Sequence, residues 1–245
     1  MTRRAVLICP GRGTYNAPEL GYLKQHRPGF DAVLDGFDQQ RLGLGQATLT
    51  DLDNSECFDP DVFTRGDNAS GLIFASAYCD GKSLNDDIEI VAVTGNSMGW
   101  YIAMALVGAV SDQDGFQLVN MMGELMHCHL IGGQSVYPIT DENWVTDSER
   151  KHQLLETVRL IDAKADHDLC LSIDLGGVLV FAGNEAGLTE WEKTVPKVFG
   201  RFPMRLQNHA AFHSPLQADV AAKGRALLSD MVVNAPDVPL IDGFG

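Results

Sequence analysis

The sequence is poor in basic residues and lacks long apolar runs. Its 18 lysines and arginines face 33 aspartates and glutamates, which gives a formal net charge of −15. Nucleic acids and anionic membranes are bound by clustered positive charge, so we expect neither as a partner. No apolar run approaches the roughly 20 residues of a transmembrane helix, and Ala5–Cys9 is too short for the core of a signal peptide.

The cysteines form no recognisable pattern. Their number, five, is odd, and no two of them have Cys-x-x-Cys spacing. This usage indicates reduced thiols and argues against a disulfide framework or a zinc site. We therefore expect a cytoplasmic protein with no bound metal.

Two continuous apolar runs predict buried parallel strands, each followed by a glycine-containing loop. Ala5–Cys9 leads into Pro10–Gly13, and Ile88–Val93 leads into Thr94–Gly99. The stretch 51–61 is rich in Asp and Asn and predicts a loop. The apolar spacing predicts helices around residues 19–24, 29–41, 71–79, 100–107 (ended by Gly108) and 118–126.

From residue 133 the pattern changes to a βαββαβ order, which is typical of a ferredoxin-like fold. The predicted strands are 135–139, 168–173, 177–181 and 201–206, and the predicted helices are 148–163 and 189–198. The sequence therefore predicts an α/β protein with two parts. Residues 1–132 and 207–245 form the core, and residues 133–206 form an inserted ferredoxin-like subdomain.

The pattern Gly95-x-Ser97-x-Gly99 lies between a predicted strand and a predicted helix, which is the context of a nucleophile elbow. Such a turn is sharp, and glycine avoids the clash that a Cβ would make there. The turn would place Ser97 at a helix N-terminus, where the N–H of Met98 and the helix dipole favour a developing negative charge. The alternative is a glycine-rich turn whose serine only caps the helix.

A serine nucleophile needs a base, and His213 is the candidate among the seven histidines. It precedes Ser214 and Pro215, which predict the N-cap and first position of a helix running to about residue 232. Because a cation is disfavoured at a helix N-terminus, His213 should stay neutral and able to accept a proton. On position alone, a capping or hydrogen-bonding histidine is equally open.

Together these segments resemble the malonyl-CoA:acyl-carrier-protein transacylases and the acyltransferase domains of fatty-acid and polyketide synthases. The similar segments come in family order, and such a series is far more specific than any one motif. They are Cys9–Thr14 (family F-P-G-Q-G-S), Gly95–Gly99 (G-H-S-L-G), Val119–Gly123 (a helix motif ending in Arg-Gly), Val180–Gly183 (V-I-A-G), Ala211–Leu216 (A-F-H-S-P-L) and Asn234–Pro236.

The resemblance implies an α/β-hydrolase-like core with a ferredoxin-like subdomain. It implies that Ser97 attacks an acyl-CoA thioester, that His213 takes its proton, and that the main-chain N–H groups of Arg12 and Met98 form the oxyanion hole. The seryl acyl-enzyme then passes its acyl group to the phosphopantetheine thiol of an acyl carrier protein. The resemblance implies no metal and no permanently bound cofactor.

The sequence departs from the family at two substrate-binding positions. Met122 stands where malonyl-using members carry an arginine that pairs with the substrate carboxylate. Because a buried carboxylate without a partner charge is costly, we expect an uncharged acyl group rather than malonyl. Asn96 replaces a histidine beside the nucleophile and can donate a hydrogen bond but cannot titrate. Two alternatives stay open: Met122 is simply a core residue, or the charge of Arg12 meets an acidic substrate.

Family members continue past the position where this chain stops, and that region supplies the acceptor that orients the histidine. The sequence therefore names no third member of a triad. Because Met1 leads straight into the first strand, we expect a stand-alone enzyme. Two other functions remain open. One is a serine esterase or thioesterase with the same Ser97 and His213, and the other is a degenerate, non-catalytic acyltransferase-like domain that binds a carrier protein.

Carrier proteins are acidic, as this chain is, so long-range attraction between the two is unfavourable. A local basic patch would compensate. Lys193, Lys197, Arg201 and Arg205 recur every four residues and are candidates for such a patch. A solvated helix face is the alternative interpretation.

Overall fold

The computed structural model describes residues 2–26 and 28–243. The chain forms two compact units, of which unit 1 comprises Met1–His127 and Ala226–Gly245 and unit 2 comprises Cys128–Arg225. The sequence-based prediction is instead a subdomain of residues 133–206. Residues 207–225 go with unit 2 because the N–H of Ala211 donates to the carbonyl of Ile131 at 2.8 Å, and the side chain of Gln217 donates to the same oxygen.

Unit 1 contains a parallel sheet built on the two predicted apolar strands. Strand β1 (Arg3–Cys9) pairs with strand β2 (Ile88–Gly95), and Cys9 lies opposite Gly95. Residues 239–241 run parallel to β2 on its other side, where the N–H of Val93 donates to Pro239 and its carbonyl accepts from Ile241. The loops after β1 and β2 therefore leave the same edge of the sheet, where α/β proteins bind their ligands.

The helices of unit 1 pack around a core of aromatic and aliphatic side chains. The rings of Phe37 and Phe116 stack with centroids 4.3 Å apart, and Phe74 packs edge-on against both. The helices are α1 (Tyr22–His26), α2 (Asp31–Gly43), α3 (Leu49–Asp53), α4 (Pro60–Phe63), α5 (Gly66–Lys82), α6 (Gly99–Leu106) and α7 (Asp112–Cys128). Gly108 follows α6 with φ +72°, the left-handed conformation expected of a helix-ending glycine.

The prediction of a loop over residues 51–61 holds for residues 54–59, but both ends of the stretch belong to short helices, α3 and α4. Thr48 accepts a hydrogen bond from the N–H of Asp51 and caps α3, and Asp59 caps α4 in the same way. Asp53, at the end of α3, is buried and accepts hydrogen bonds from the Tyr15 hydroxyl and the N–H of Lys24. The polar residues of this stretch thus begin and anchor short helices, a role that composition alone does not distinguish from a loop.

Unit 2 has the βαββαβ order and an antiparallel sheet with strand order β4-β5-β3-β6. Counted within the unit this is the order 2-3-1-4 of a ferredoxin-like fold. The predicted fold class, α/β with a parallel sheet and a separate ferredoxin-like subdomain, is confirmed. The elements are β3 (Gly133–Pro138), α8 (Ser148–Asp162), β4 (Leu169–Asp174), β5 (Val178–Gly183), α9 (Glu185–Thr194), β6 (Met204–Arg205) and α10 (Ala218–Leu227).

Three elements of unit 2 differ most from the prediction. Helix α9 begins four residues earlier than expected, because Asn184 caps it by accepting from the N–H of Gly187. Strand β6 has two residues rather than six, and Pro203 just before it has no N–H to donate to a ladder. Helix α10 ends at Leu227, and a 3₁₀ turn, Pro215–Gln217, precedes it.

No helix within residues 2–26 and 28–243 is both long and apolar enough to cross a membrane.

Candidate active site

Ser97 lies at the tip of a tight turn between β2 and α6. Its φ is +54°, a conformation that a non-glycine residue adopts only at a cost. The turn is closed by two main-chain hydrogen bonds, from Gly99 N–H to the Asn96 carbonyl at 2.9 Å and from Trp100 N–H to the Ser97 carbonyl at 3.1 Å. This is the geometry of a nucleophile elbow: a serine in a strained strand-to-helix turn at the carboxyl end of a parallel strand.

Both glycines of the elbow are required by close backbone packing. A Cβ on Gly95 would overlap the backbone of Gly99, and a Cβ on Gly99 would overlap the carbonyl oxygen of Cys9. The elbow is therefore pressed against its own first helical turn on one side and against the end of β1 on the other. Any larger residue at position 95 or 99 forces the backbone apart and moves Ser97.

The loop after β1 packs directly on the elbow. The N–H of Asn96 donates to the carbonyl of Cys9 at 3.2 Å, and a Cβ on Gly11 would come within 2.9 Å of the Asn96 carbonyl oxygen. The predicted oxyanion residue Arg12 follows Gly11 in this loop. The guanidinium of Arg12 donates a hydrogen bond to the carbonyl of Thr64 at 2.7 Å.

The guanidinium of Arg12 sits in a desolvated position. Burial lowers its pKa to about 10, while the Asp67 carboxylate partly offsets this effect. Asp67 itself is held by two hydrogen bonds from Arg65, at 2.8 and 3.1 Å. The guanidinium of Arg12 thus lies near Thr64 and Asp67, at the start of α5. The main chain of Arg12 lies in the loop that packs on Asn96.

Met98 is the second predicted oxyanion residue, and it directly precedes α6. Among the residues that the structure describes, none accepts a hydrogen bond from the Met98 N–H. A main-chain N–H at the start of a helix is the kind of donor that stabilises a developing oxyanion, because its dipole is already oriented and little reorganisation is needed.

Met122 lies on α7 with its side chain 8% exposed. The neighbouring Gly123 packs so closely on α5 that a Cβ there would meet the Gly66 carbonyl and Ser70. Position 122 is therefore a buried, uncharged side chain next to the tight α5–α7 contact at Gly123.

His213 belongs to unit 2, where it lies in the loop between β6 and α10. Its φ is +55°, and partial burial lowers the pKa of its ring from the usual 6.5, although the residue as a whole is exposed. The direction agrees with the neutral, proton-accepting state expected from the sequence. Ser214 is the N-cap residue of the 3₁₀ turn that begins at Pro215, as predicted, but its hydroxyl donates to the carbonyl of Ala211 at 2.6 Å and accepts no hydrogen bond from the turn.

Sequence reasoning missed a polar network beneath the His213 loop. The carbonyl of Phe212 accepts hydrogen bonds from Ser172 Oγ at 2.9 Å and from Gln134 Nε2 at 3.4 Å. Gln134 Nε2 also contacts Ser172 Oγ at 2.8 Å, and Gln134 Oε1 lies 2.9 Å from His209 Nδ1. The signal that was available is the presence of polar Gln134 and Ser172 within or next to predicted strands.

The structure thus brings Arg12, Asn96, Ser97 and Met98 together at one edge of the unit 1 sheet. It leaves Met122 buried on α7 and places His213 in unit 2. Within the described part of the chain, no group of three or more His, Cys, Asp or Glu side chains is arranged to hold a metal ion.

Several solved structures with this architecture are acyl carrier protein transacylases. The chain superposes on malonyl-CoA:acyl carrier protein transacylase from Xanthomonas oryzae with a TM-score of 0.78 and 18% identity, over 99% of this chain and 74% of that one. The fold is that of the malonyl-CoA:acyl carrier protein transacylases. A second transacylase, solved in complex with a type II polyketide synthase acyl carrier protein, gives a TM-score of 0.74 at 17% identity, with 98% and 74% of the two chains covered.

A curated polyketide synthase is similar to this chain in sequence. Non-reducing polyketide synthase Preu6 of Preussia isomera is 26% identical over 255 residues, which covers 98% of this chain. The chain spans 11% of the length of that synthase. No protein-family model matches the sequence. The family resemblance drawn from the ordered motifs is confirmed by these similarities, as is its α/β fold.

Proposed function

We propose that this protein is an acyltransferase that moves an acyl group from acyl-CoA to the phosphopantetheine thiol of an acyl carrier protein. Ser97 is the nucleophile, His213 the general base, and the main-chain N–H groups of Arg12 and Met98 the oxyanion hole. The observation that carries the proposal is the left-handed Ser97 in a glycine-packed elbow at the carboxyl edge of the parallel sheet. The fold shared with transacylases, one of them bound to a carrier protein, supports the reaction class.

In the proposed reaction the Ser97 oxygen attacks the thioester carbonyl while His213 takes the hydroxyl proton. The tetrahedral intermediate places its negative oxygen at the two N–H donors, and its collapse expels the CoA thiolate, which receives the proton from His213. The carrier thiol then gives its proton to His213 and attacks the seryl ester. The acyl group leaves on the carrier, and the proton returns to Ser97.

We propose further that the preferred acyl group is uncharged. A malonyl carboxylate needs a partner charge, and position 122 offers a buried methionine. The guanidinium of Arg12 is already engaged by the Thr64 carbonyl and lies close to the Asp67 carboxylate, which makes it a poor clamp for a second anion. This placement favours the uncharged substrate over the alternative in which Arg12 binds an acid.

The test is intact-protein mass spectrometry after mixing with acetyl-, hexanoyl-, palmitoyl- and malonyl-CoA, followed by addition of a holo carrier protein. We expect a covalent adduct of one acyl group, slowest with malonyl-CoA, that disappears when the carrier appears in acylated form. Ser97→Ala should abolish the adduct, and His213→Gln should slow its formation by about 10²–10⁴-fold.

The alternatives give different products. Release of free acid without a carrier would identify an esterase or thioesterase, and absence of any adduct while the carrier still binds would identify a non-catalytic domain. Faster acylation by malonyl-CoA than by the uncharged thioesters would refute the proposed selectivity alone.

A further inference from the structure

We propose that Ser172, with Gln134 behind it, is a positioning residue that holds the backbone of the His213 loop through the carbonyl of Phe212. The inference rests on the proposed function, since it gives a role to residues that do not contact the reacting atoms. The four groups involved are the Phe212 carbonyl, the Ser172 hydroxyl, the Gln134 amide and the His209 ring, and all belong to unit 2.

The direction of each hydrogen bond in this network follows from its last acceptor, the Phe212 carbonyl. The Phe212 carbonyl can only accept, so the amide edge of Gln134 that faces it is the NH₂ group. Gln134 Oε1 then faces His209, whose Nδ1 carries the proton that it donates. Because Gln134 Nε2 donates to Ser172 Oγ, the hydroxyl proton of Ser172 is directed to Phe212. Three donors point the same way, and each polarises the next.

A β-bulge directs the Ser172 side chain. In the β4–β5 ladder Leu171 lies opposite Phe181 and Ile173 lies opposite Val180, so Ser172 is the extra residue of β4. A bulge interrupts the alternation of a strand and re-aims one side chain. Here the re-aimed group is the hydroxyl that reaches Phe212, the residue before His213. The ladder register identifies Ser172 as the extra residue, and the hydrogen bond shows that its side chain reaches the loop.

The loop needs such support because His213 has a φ of +55°. A left-handed backbone at a non-glycine residue persists only where its surroundings hold it. The two preceding residues are held by hydrogen bonds: the Ala211 N–H donates to Ile131, and the Phe212 carbonyl accepts from Ser172 and Gln134. These bonds restrict the backbone that leads into His213, and with it the position from which the His213 ring extends.

The test uses a donor series at position 172, with the buried Ser135 of β3 as the matched control. Ser135 has 0% exposure, and its hydroxyl has no hydrogen-bond partner among the described residues. We expect Ser172→Ala to lower the single-turnover rate of Ser97 acylation on the order of tenfold, the factor that corresponds to one lost hydrogen bond, with little change in KM. Ser172→Thr should restore the rate, and Ser135→Ala should leave it unchanged.

Ser172→Cys separates hydrogen bonding from packing, since a thiol is close to a hydroxyl in size but a weak donor. A rate that falls from Ser and Thr through Cys to Ala supports positioning by the donor. A Cys variant as fast as the wild type, or an Ala variant no slower than Ser135→Ala, would overturn it.

An NMR titration of the His213 ring, assigned with His213→Gln, gives a readout that does not depend on activity. In Ser172→Ala we expect the ring to titrate closer to the usual 6.5 than in the wild type, because a loosened loop is better hydrated. An unchanged titration overturns the inference even if the wild-type protein is never acylated. Absence of wild-type acylation alone would instead remove the proposed function.

Discussion

Backbone strain at single residues coincides with two of the positions that the sequence motifs select. Ser97 and His213 both have positive φ, at +54° and +55°. This conformation is uncommon for a non-glycine residue, although Asn, Asp and His adopt it more often than others. Four further described residues share it, namely Trp144, Asp166, Phe199 and Asn208. Strain alone therefore does not select the site, but at Ser97 it belongs to the elbow that the motif predicts.

The lowered pKa of His213 predicts how activity depends on pH. Burial disfavours the imidazolium, so the ring remains a base below its usual value of 6.5. We expect the acidic limb of the Ser97 acylation rate to lie below pH 6.5, measured by quenched-flow mass spectrometry across pH 4.5–8. A limb at or above 6.5 would contradict the assignment of His213 as the base.

The same shift has a consequence for stability with a definite sign. Between pH 6.5 and the lower pKa of the folded state, the unfolded chain binds a proton that the folded chain does not. The free energy of unfolding therefore falls as the pH drops through this window. His213→Gln should lose less stability than the wild type between pH 7 and 5 in urea titrations, and His152→Gln, an exposed position on α8, serves as the control.

At the scale of elements, capping residues decide where helices begin. Asp147 accepts a hydrogen bond from the N–H of Arg150 at 2.9 Å and starts α8, as Asn184 starts α9 and Thr48 starts α3. Each cap satisfies an N–H that the helix itself leaves unpaired. These caps set helix starts that apolar spacing alone places only to within a few residues, as at α9, and they begin the short helices α3 and α4 at the ends of the predicted loop.

Removal of the α8 cap gives a measurable prediction. Asp147→Ala should lower the free energy of unfolding by about 1 kcal/mol, because an N–H at the first turn of α8 loses its acceptor. Asp147→Ser, which keeps an acceptor, should lose much less. A Ser variant as unstable as the Ala variant would assign the effect to the exposed ion pair of Asp147 with Arg150, at 3.6 Å, instead.

At the scale of the whole molecule, the net charge of −15 acts against association with an acidic partner. The candidate basic patch compensates for this repulsion less than the regular spacing of its residues suggests. Arg205 is paired with Glu185 and Glu192 at 2.5 and 2.6 Å, and Arg201 lies over the ring of Phe202. Because α9 ends at Thr194, the four basic residues also do not share one helix face.

This charge balance predicts an unusual salt dependence. Raising NaCl from about 20 to 300 mM should increase kcat/KM for an acidic holo carrier severalfold, because screening removes like-charge repulsion. Transfer to free pantetheine, which is uncharged, should change little and is the control. A decrease with salt would show that a local positive patch dominates docking, and charge reversal at Arg201 would then be expected to slow carrier transfer alone.

The sequence by itself determined the elements and the reaction class that we propose. Apolar runs, glycine spacing and the order of six motifs depend on local chemistry, and they led to the parallel strands, the elbow at Ser97, the ferredoxin-like insert and His213. The tertiary structure decided which polar residues support the site. About 40 residues of sequence separate Gln134 from Ser172, and about 40 more separate Ser172 from Phe212. Hydrogen bonds connect the three residues, and a bulge in β4 directs the Ser172 side chain toward the others. Such contacts depend on strand register and side-chain direction, which no local pattern in the sequence encodes.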